Sequence, residues 1–125
     1  MGLDISVRRA YKTTSELAYF RKVNFLVAYF FGEDYQDTDN CRPIEIYKEQ
    51  CEDLVNRCKT VLEKKDEDTS MELLPPVGGF FFGDTDIDEY YYEAVEQVRK
   101  EFEENVIPEF DELEDGEFIE FWCWW

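Results

Sequence analysis

The stretch from Glu117 to Trp125 constrains the fold more than any other part of the chain. Successive side chains of an extended strand point to opposite faces. Phe118, Glu120, Trp122 and Trp124 therefore share one face, and Ile119, Phe121, Cys123 and Trp125 share the other. Both faces are rich in apolar groups, so the strand is expected to be central in a sheet or covered. It needs neighbours. Leu3, Ile5 and Val7 alternate with Asp4, Ser6 and Arg8, which predicts a strand from about Gly2 to Arg9. Pairing of these N-terminal and C-terminal strands is expected.

Between them the spacing predicts three helices. Thr13 and Glu16 have capping-box spacing, and a helix is expected from about Thr14 to Phe31, with Gly32 ending it. Its apolar stripes are Tyr19, Val23, Leu26, Phe30 and Leu17, Phe20, Val27, Phe31, with Asn24 on the second stripe. Residues 33–42 read as loop, and Pro43 opens a short strand, Ile44 to Ile46. A second helix is expected from about Lys48 to Lys65, because Cys51, Leu54, Val55, Cys58, Val61 and Leu62 recur at spacings of three and four. Asp66 to Ser70 reads as a polar linker, and Gly78 to Gly83 as a short aromatic strand bracketed by glycines. A third helix is expected from near Asp86 to about Asn105. Its inner face would be Ile87, Tyr90 or Tyr91, Ala94, Val98 and Phe102, and Pro108 would break it. The predicted class is α+β, with about three helices packed on a small, mostly antiparallel sheet of three or four strands. One domain over 1–125 is expected, with an acidic, aromatic C-terminal segment from about residue 106.

Charge is distributed unevenly. The chain has 31 Asp and Glu against 13 Lys and Arg, a net of −18. Residues 1–30 hold five basic and two acidic residues and are +3, so the remainder is −21. From Asp84 to Trp125, sixteen carboxylates face only Arg99 and Lys100, a net of −14 over 42 residues. A hydrophobic content of 44% and an aromatic content of 18% argue for a packed core beneath this charge. The N-terminus lacks an export pattern, and the most apolar run, Val23 to Phe31, is far short of the ~20 residues a membrane span needs. A cytoplasmic location is expected. The chain has no His, which removes the usual neutral-pH proton shuttle. Cys41, Cys51, Cys58 and Cys123 read as small buried thiols rather than zinc ligands, since there is no C-x-x-C pair.

Several motifs carry candidate chemistry. Asp84, Asp86 and Asp88 open a calcium-loop pattern, but Glu89 stands where the turn needs Gly and Val95 where the loop needs Glu. First-turn acids, with Asp84 or Thr85 as cap, account for them more simply. No metal and no cofactor is expected. Gly78 to Gly83 lacks the lysine and hydroxyl of a phosphate loop, and its Phe80, Phe81 and Phe82 form either a buried strand or a pocket floor. Arg21, Lys22 and Asn24, with Phe80, Phe81, Phe82, Tyr90 and Tyr91, are candidates for a small-molecule pocket. Asn24 is also explained by a hydrogen bond tying helix to loop.

The segments Met1-Gly2-Leu3-Asp4, Tyr19 to Leu26 (YFRKVNFL), Asn40-Cys41, Leu74-Pro75 and Gly79 to Tyr91 (GFFFGDTDIDEYY) together resemble a family of small uncharacterised proteins of tailed bacteriophages and prophages. The resemblance runs to about Val98, and the aromatic-glycine segment with its acidic sequel is its most specific part. It carries no activity over. It implies a phage accessory protein made in a bacterial cytoplasm. The chain departs from the pattern in Pro76-Val77 and in the longer acidic stretch after Arg99.

Duplex DNA carries about 18 charges along ~30 Å, close to the −18 of this chain. The leading expectation is therefore a phage-encoded inhibitor of a host nucleic-acid-binding defence protein of restriction or CRISPR type, an acidic DNA mimic and not an enzyme. Asp84, Asp86, Asp88, Glu89, Glu93, Glu96, Glu101, Glu103, Glu104, Asp111, Glu112 and Glu114 would meet the basic groove of the partner. Neither direct nucleic-acid binding nor membrane association is expected. The alternative is a protein that binds or sequesters a nucleotide signal through the Arg21, Lys22, Asn24 and aromatic pocket. A third reading is a metal-dependent carboxylate enzyme using Asp84, Asp86, Asp88 and Glu93. A solubilising acidic surface is the plain alternative to all three.

Overall fold

The structure, a computed structural model, describes residues 3–10, 14–31, 43–76 and 86–124, with the side chain of residue 124 outside the description. Four strands form one antiparallel sheet in the order β2-β1-β4-β3. They are β1 (Asp4–Ala10), β2 (Thr14–Arg21), β3 (Ile44–Ile46) and β4 (Phe118–Trp124). β4 is internal, flanked by β1 and β3, one of the two places its apolar faces allow. In register, Phe20, Ile5 and Cys123 lie side by side, and so do Ala18, Val7, Phe121 and Ile44. This is the inner face, and Ile5, Val7, Phe20 and Phe121 are completely buried in it.

The helices belong to that buried face. α1 (Phe25–Phe31) and α2 (Lys48–Lys64) are followed by α3 (Glu67–Leu73) and α4 (Glu89–Glu101). α4 continues through a π-helical segment, Phe102–Val106, into α5 (Ile107–Phe110). Cys51, Leu54, Val55, Cys58 and Val61 of α2 and Tyr91, Val95 and Val98 of α4 join the strand residues in one hydrophobic cluster. Phe102 lies between Phe20 and Phe30, with ring centroids 5.9 and 6.1 Å away.

The class is the expected α+β, but several local expectations are overturned. Thr14 to Arg21 is a strand, not the start of a helix. Ala18 and Phe20 face inward while Tyr19 faces outward, and pairing with β1 fixes this alternation. Glu16 caps nothing in a helix; it accepts a 2.7 Å hydrogen bond from the Ser6 hydroxyl. Arg21 and Lys22 therefore lie at a strand end rather than along a helix. Lys22 turns the chain with φ 60, and its N–H donates to the Leu3 carbonyl at 2.7 Å.

The expected linker after α2 is α3. Lys65 ends α2 in the left-handed region, and the Asp66 carboxylate accepts from the Thr69 N–H at 2.6 Å. The cap of α4 is Asp88, which accepts from the Tyr91 N–H at 3.1 Å, so the helix begins later than Asp86. Pro108 does not end the helical run either. A proline ring collides with the carbonyl four residues back. The preceding segment widens to π geometry, where the Ile107 N–H bonds the Phe102 carbonyl five residues back. The expected Gly78 to Gly83 strand and the loop at 33–42 lie outside the described residues. No helix among the described residues is long and apolar enough to cross a membrane.

Candidate partner-binding surface

β1 carries two arginines into the acidic C-terminal region. The ladder sets Arg8 opposite Glu120. Its guanidinium meets the carboxylate at 2.5 Å and lies 4.4 Å from the centroid of the Trp122 ring. Arg9 binds Glu117 with Nε and Nη2 at 3.0 and 2.5 Å, Glu109 with Nη1 at 3.0 Å, and the Glu112 carbonyl at 3.0 Å. The Arg9 hydrogen bonds, followed by the Glu114 N–H, hold the Glu117 carboxyl below the usual carboxylate range. Arg99 binds Glu96 at 2.5 Å and Glu103 at 3.1 Å, and Lys48 binds Asp111 at 3.1 Å. The basic N-terminal and acidic C-terminal stretches thus neutralise each other in part within the fold.

The expected acidic set divides accordingly. Glu103 and Asp111 are in ion pairs. Glu101 accepts from the Asn105 amide at 2.8 Å. Glu104, Glu112 and Glu114 are exposed, and the Glu114 backbone N–H donates to Glu117. Glu89, Glu93 and Glu96 are exposed on one face of α4, because spacings of four and three stack side chains about 5–6 Å apart. They flank an open groove of about 490 Å³ between α2 and α4, whose other walls are Leu62, Lys65 and Tyr92. Among the described residues, neither Glu89 nor Glu93 has an ion-pair partner. The groove was missed in the sequence because the expected inner face of this helix named Tyr90 or Tyr91 and left Tyr92 aside. Only the helix phase, one turn from Glu89 and Glu96, distinguishes it.

The start of α4 forms a second feature. Asp86, Asp88, Tyr90, Tyr91 and Ala94 face Lys22, Val23, Asn24, Phe25 and Pro76 across a cleft of about 210 Å³. Tyr91 is buried and donates its hydroxyl proton to the Leu74 carbonyl at 2.8 Å, which fixes the helix start. Its neighbour Tyr90 is turned outward and is 79% exposed. Asn24, immediately before α1, is only 4% exposed, although the helical stripe expected to hold it does not form. The structure therefore brings together Lys22, Asn24, Tyr90 and Tyr91 of the expected pocket. Arg21 is exposed and does not line the cleft. Phe80, Phe81, Phe82 and Asp84 lie outside the described residues.

Asp86, Asp88 and Glu93 do not come together as a metal-binding group, and the described residues contain no cluster of three or more suitable ligands. Cys51, Cys58 and Cys123 are buried, and burial pushes the Cys51 and Cys58 thiols up to about 12. Cys41 lies outside the described residues. Comparison with protein-family models, with curated proteins and with solved structures yields no match to the chain.

Proposed function

We propose that this chain is a binding protein, a phage-encoded inhibitor that occupies the basic, phosphate-binding groove of a host nucleic-acid-binding defence protein of restriction or CRISPR type in the bacterial cytoplasm. The observation that carries the reading is the outer face of α4. Glu89 and Glu93 stand exposed beside Glu96, and among the described residues neither is in an ion pair, although Lys65 lines the same groove. Of the eight glutamates further along the chain, Glu103, Glu109, Glu117 and Glu120 are matched by Arg99, Arg9 and Arg8, while Glu104, Glu112 and Glu114 are exposed as well. Carboxylates left without internal partners are the ones able to pair with arginines and lysines of another protein. The mimicry thus depends on the carboxylates outside these ion pairs, the α4 stripe first among them, and not on all 18 net charges.

The test is binding to purified DNA-binding nucleases of both classes at rising salt. Affinity for the target should fall steeply with ionic strength, and DNA should compete. Binding that ignores salt, or an absence of binding across both classes, overturns the reading.

A second reading, sequestration of a nucleotide, is favoured by the meeting of Lys22, Asn24, Tyr90 and Tyr91 in one cleft. A nucleotide at 100 times its dissociation constant would add about 2.7 kcal/mol of stability. A thermal-shift screen that finds no such ligand removes this reading.

A further inference from the structure

We propose that the cleft at the start of α4 is a socket for one cationic side chain, the guanidinium of an arginine presented by the partner protein. The inference rests on the acidic-partner reading above and names the point at which the partner anchors. Size is the first argument. Pockets for whole small molecules occupy about 300–1,000 Å³, whereas this cleft has about 210 Å³. That space suits a single side chain better than a nucleotide.

Lining chemistry is the second argument. Val23, Phe25, Pro76 and Ala94 provide apolar wall for the methylene stem of a long side chain. The Tyr90 ring, 79% exposed, offers a face that attracts cations and not anions. Asp86, Asp88 and Lys22 line the cleft, two acidic residues to one basic, so its formal charge favours a cation. An anion would otherwise be drawn to the N-terminus of α4, but Asp88 already caps it and Glu89 occupies its first turn. Buried anchors of this kind, with Arg prominent among them, dominate many protein interfaces. The cleft and the Glu89–Glu93 stripe lie on the same helix, so one partner surface can engage both.

The probe is N-acetyl-arginine amide, titrated into the isotope-labelled protein and followed by amide chemical shifts. N-acetyl-citrulline amide serves as the uncharged isostere. Saturable shifts confined to Val23, Asp86, Tyr90 and Ala94, with no response to citrulline, are expected. Tyr90→Ala, at an exposed position, should leave the melting temperature unchanged and abolish those shifts. Lys22→Gln decides the sign of the ligand. Removing one like charge should tighten arginine binding roughly threefold to fivefold, the worth of a unit charge about 4 Å away in water.

Weaker binding by Lys22→Gln, an equal response to citrulline, or shifts spread evenly over the acidic surface would each overturn the socket. The two readings fail separately. Partner binding that is lost with Glu89→Gln and Glu93→Gln but unaffected by Tyr90→Ala removes the socket and keeps the acidic-partner reading. Local arginine shifts in a protein that binds neither class of nuclease keep the socket and remove that reading.

Discussion

Arg9 shows how one side chain can fix the relation of distant segments. It leaves β1 and holds Glu109 of α5, the Glu112 carbonyl and Glu117 ahead of β4. The Glu117 carboxyl is lowered in the folded state, so its contribution is full above the unfolded value and is lost as pH falls through the folded one. Unfolded glutamate titrates near pH 4. The thermal midpoint is therefore expected to drop below about pH 4, and Glu117→Gln should flatten that part of the profile when melting is followed from pH 7 to pH 2.5. An unchanged acid limb in the variant would show that Glu117 is not a source of the acid sensitivity. Arg9→Lys replaces a two-pronged donor by a point charge and should lower the midpoint at pH 7, although the charge is kept. The thiols give a second residue-scale expectation. With Cys51 and Cys58 pushed up to about 12, roughly one in ten thousand is ionised at pH 8. A thiol reagent read out by peptide mass spectrometry should leave both unlabelled until denaturant is added.

Elements are where local sequence and fold part company. Thr14 to Phe31 satisfies a helical period, yet Ala18 and Phe20 also satisfy a strand period. The choice is made by β1, whose Ile5 and Val7 present an apolar ladder to pair with, and local spacing cannot report a partner. For β4 two apolar faces left a central or a covered strand open, and pairing with β1 and β3 makes it central. The continuation past Pro108 was not legible, because a proline reads as a stop unless the preceding turn widens. That widening keeps Phe102 and Val106 both fully buried. Phe102→Ala should therefore cost about 3–5 kcal/mol in denaturant unfolding. A loss below about 1 kcal/mol would mean that the ring stack of Phe20, Phe102 and Phe30 is not a central part of the core.

At the scale of the whole molecule, the sequence showed how much negative charge there is but not how it is shared. Arg8 and Arg9 meet glutamates more than a hundred residues away in the chain, a pairing set by the β1–β4 register. Lys22 after β2 and Tyr90 on α4 line one cleft, and Arg21 does not line it. The remaining charge has a cost. Eighteen charges on a body with a radius of gyration near 14 Å repel one another by an amount on the order of 10 kcal/mol even with salt present. Half-exposed ion pairs return about 0–1 kcal/mol each, so repulsion dominates and added salt should raise the melting temperature from its low-salt value. Neutralising unpaired carboxylates should act in the same direction. Glu89→Gln with Glu93→Gln is therefore expected to match or exceed the parent in stability while slowing association with the basic partner about tenfold at low salt. A solubilising surface would give the same gain in stability with no change in association. The stripe is functional only if the two measurements move apart, and melting curves beside association rates at two salt concentrations read both.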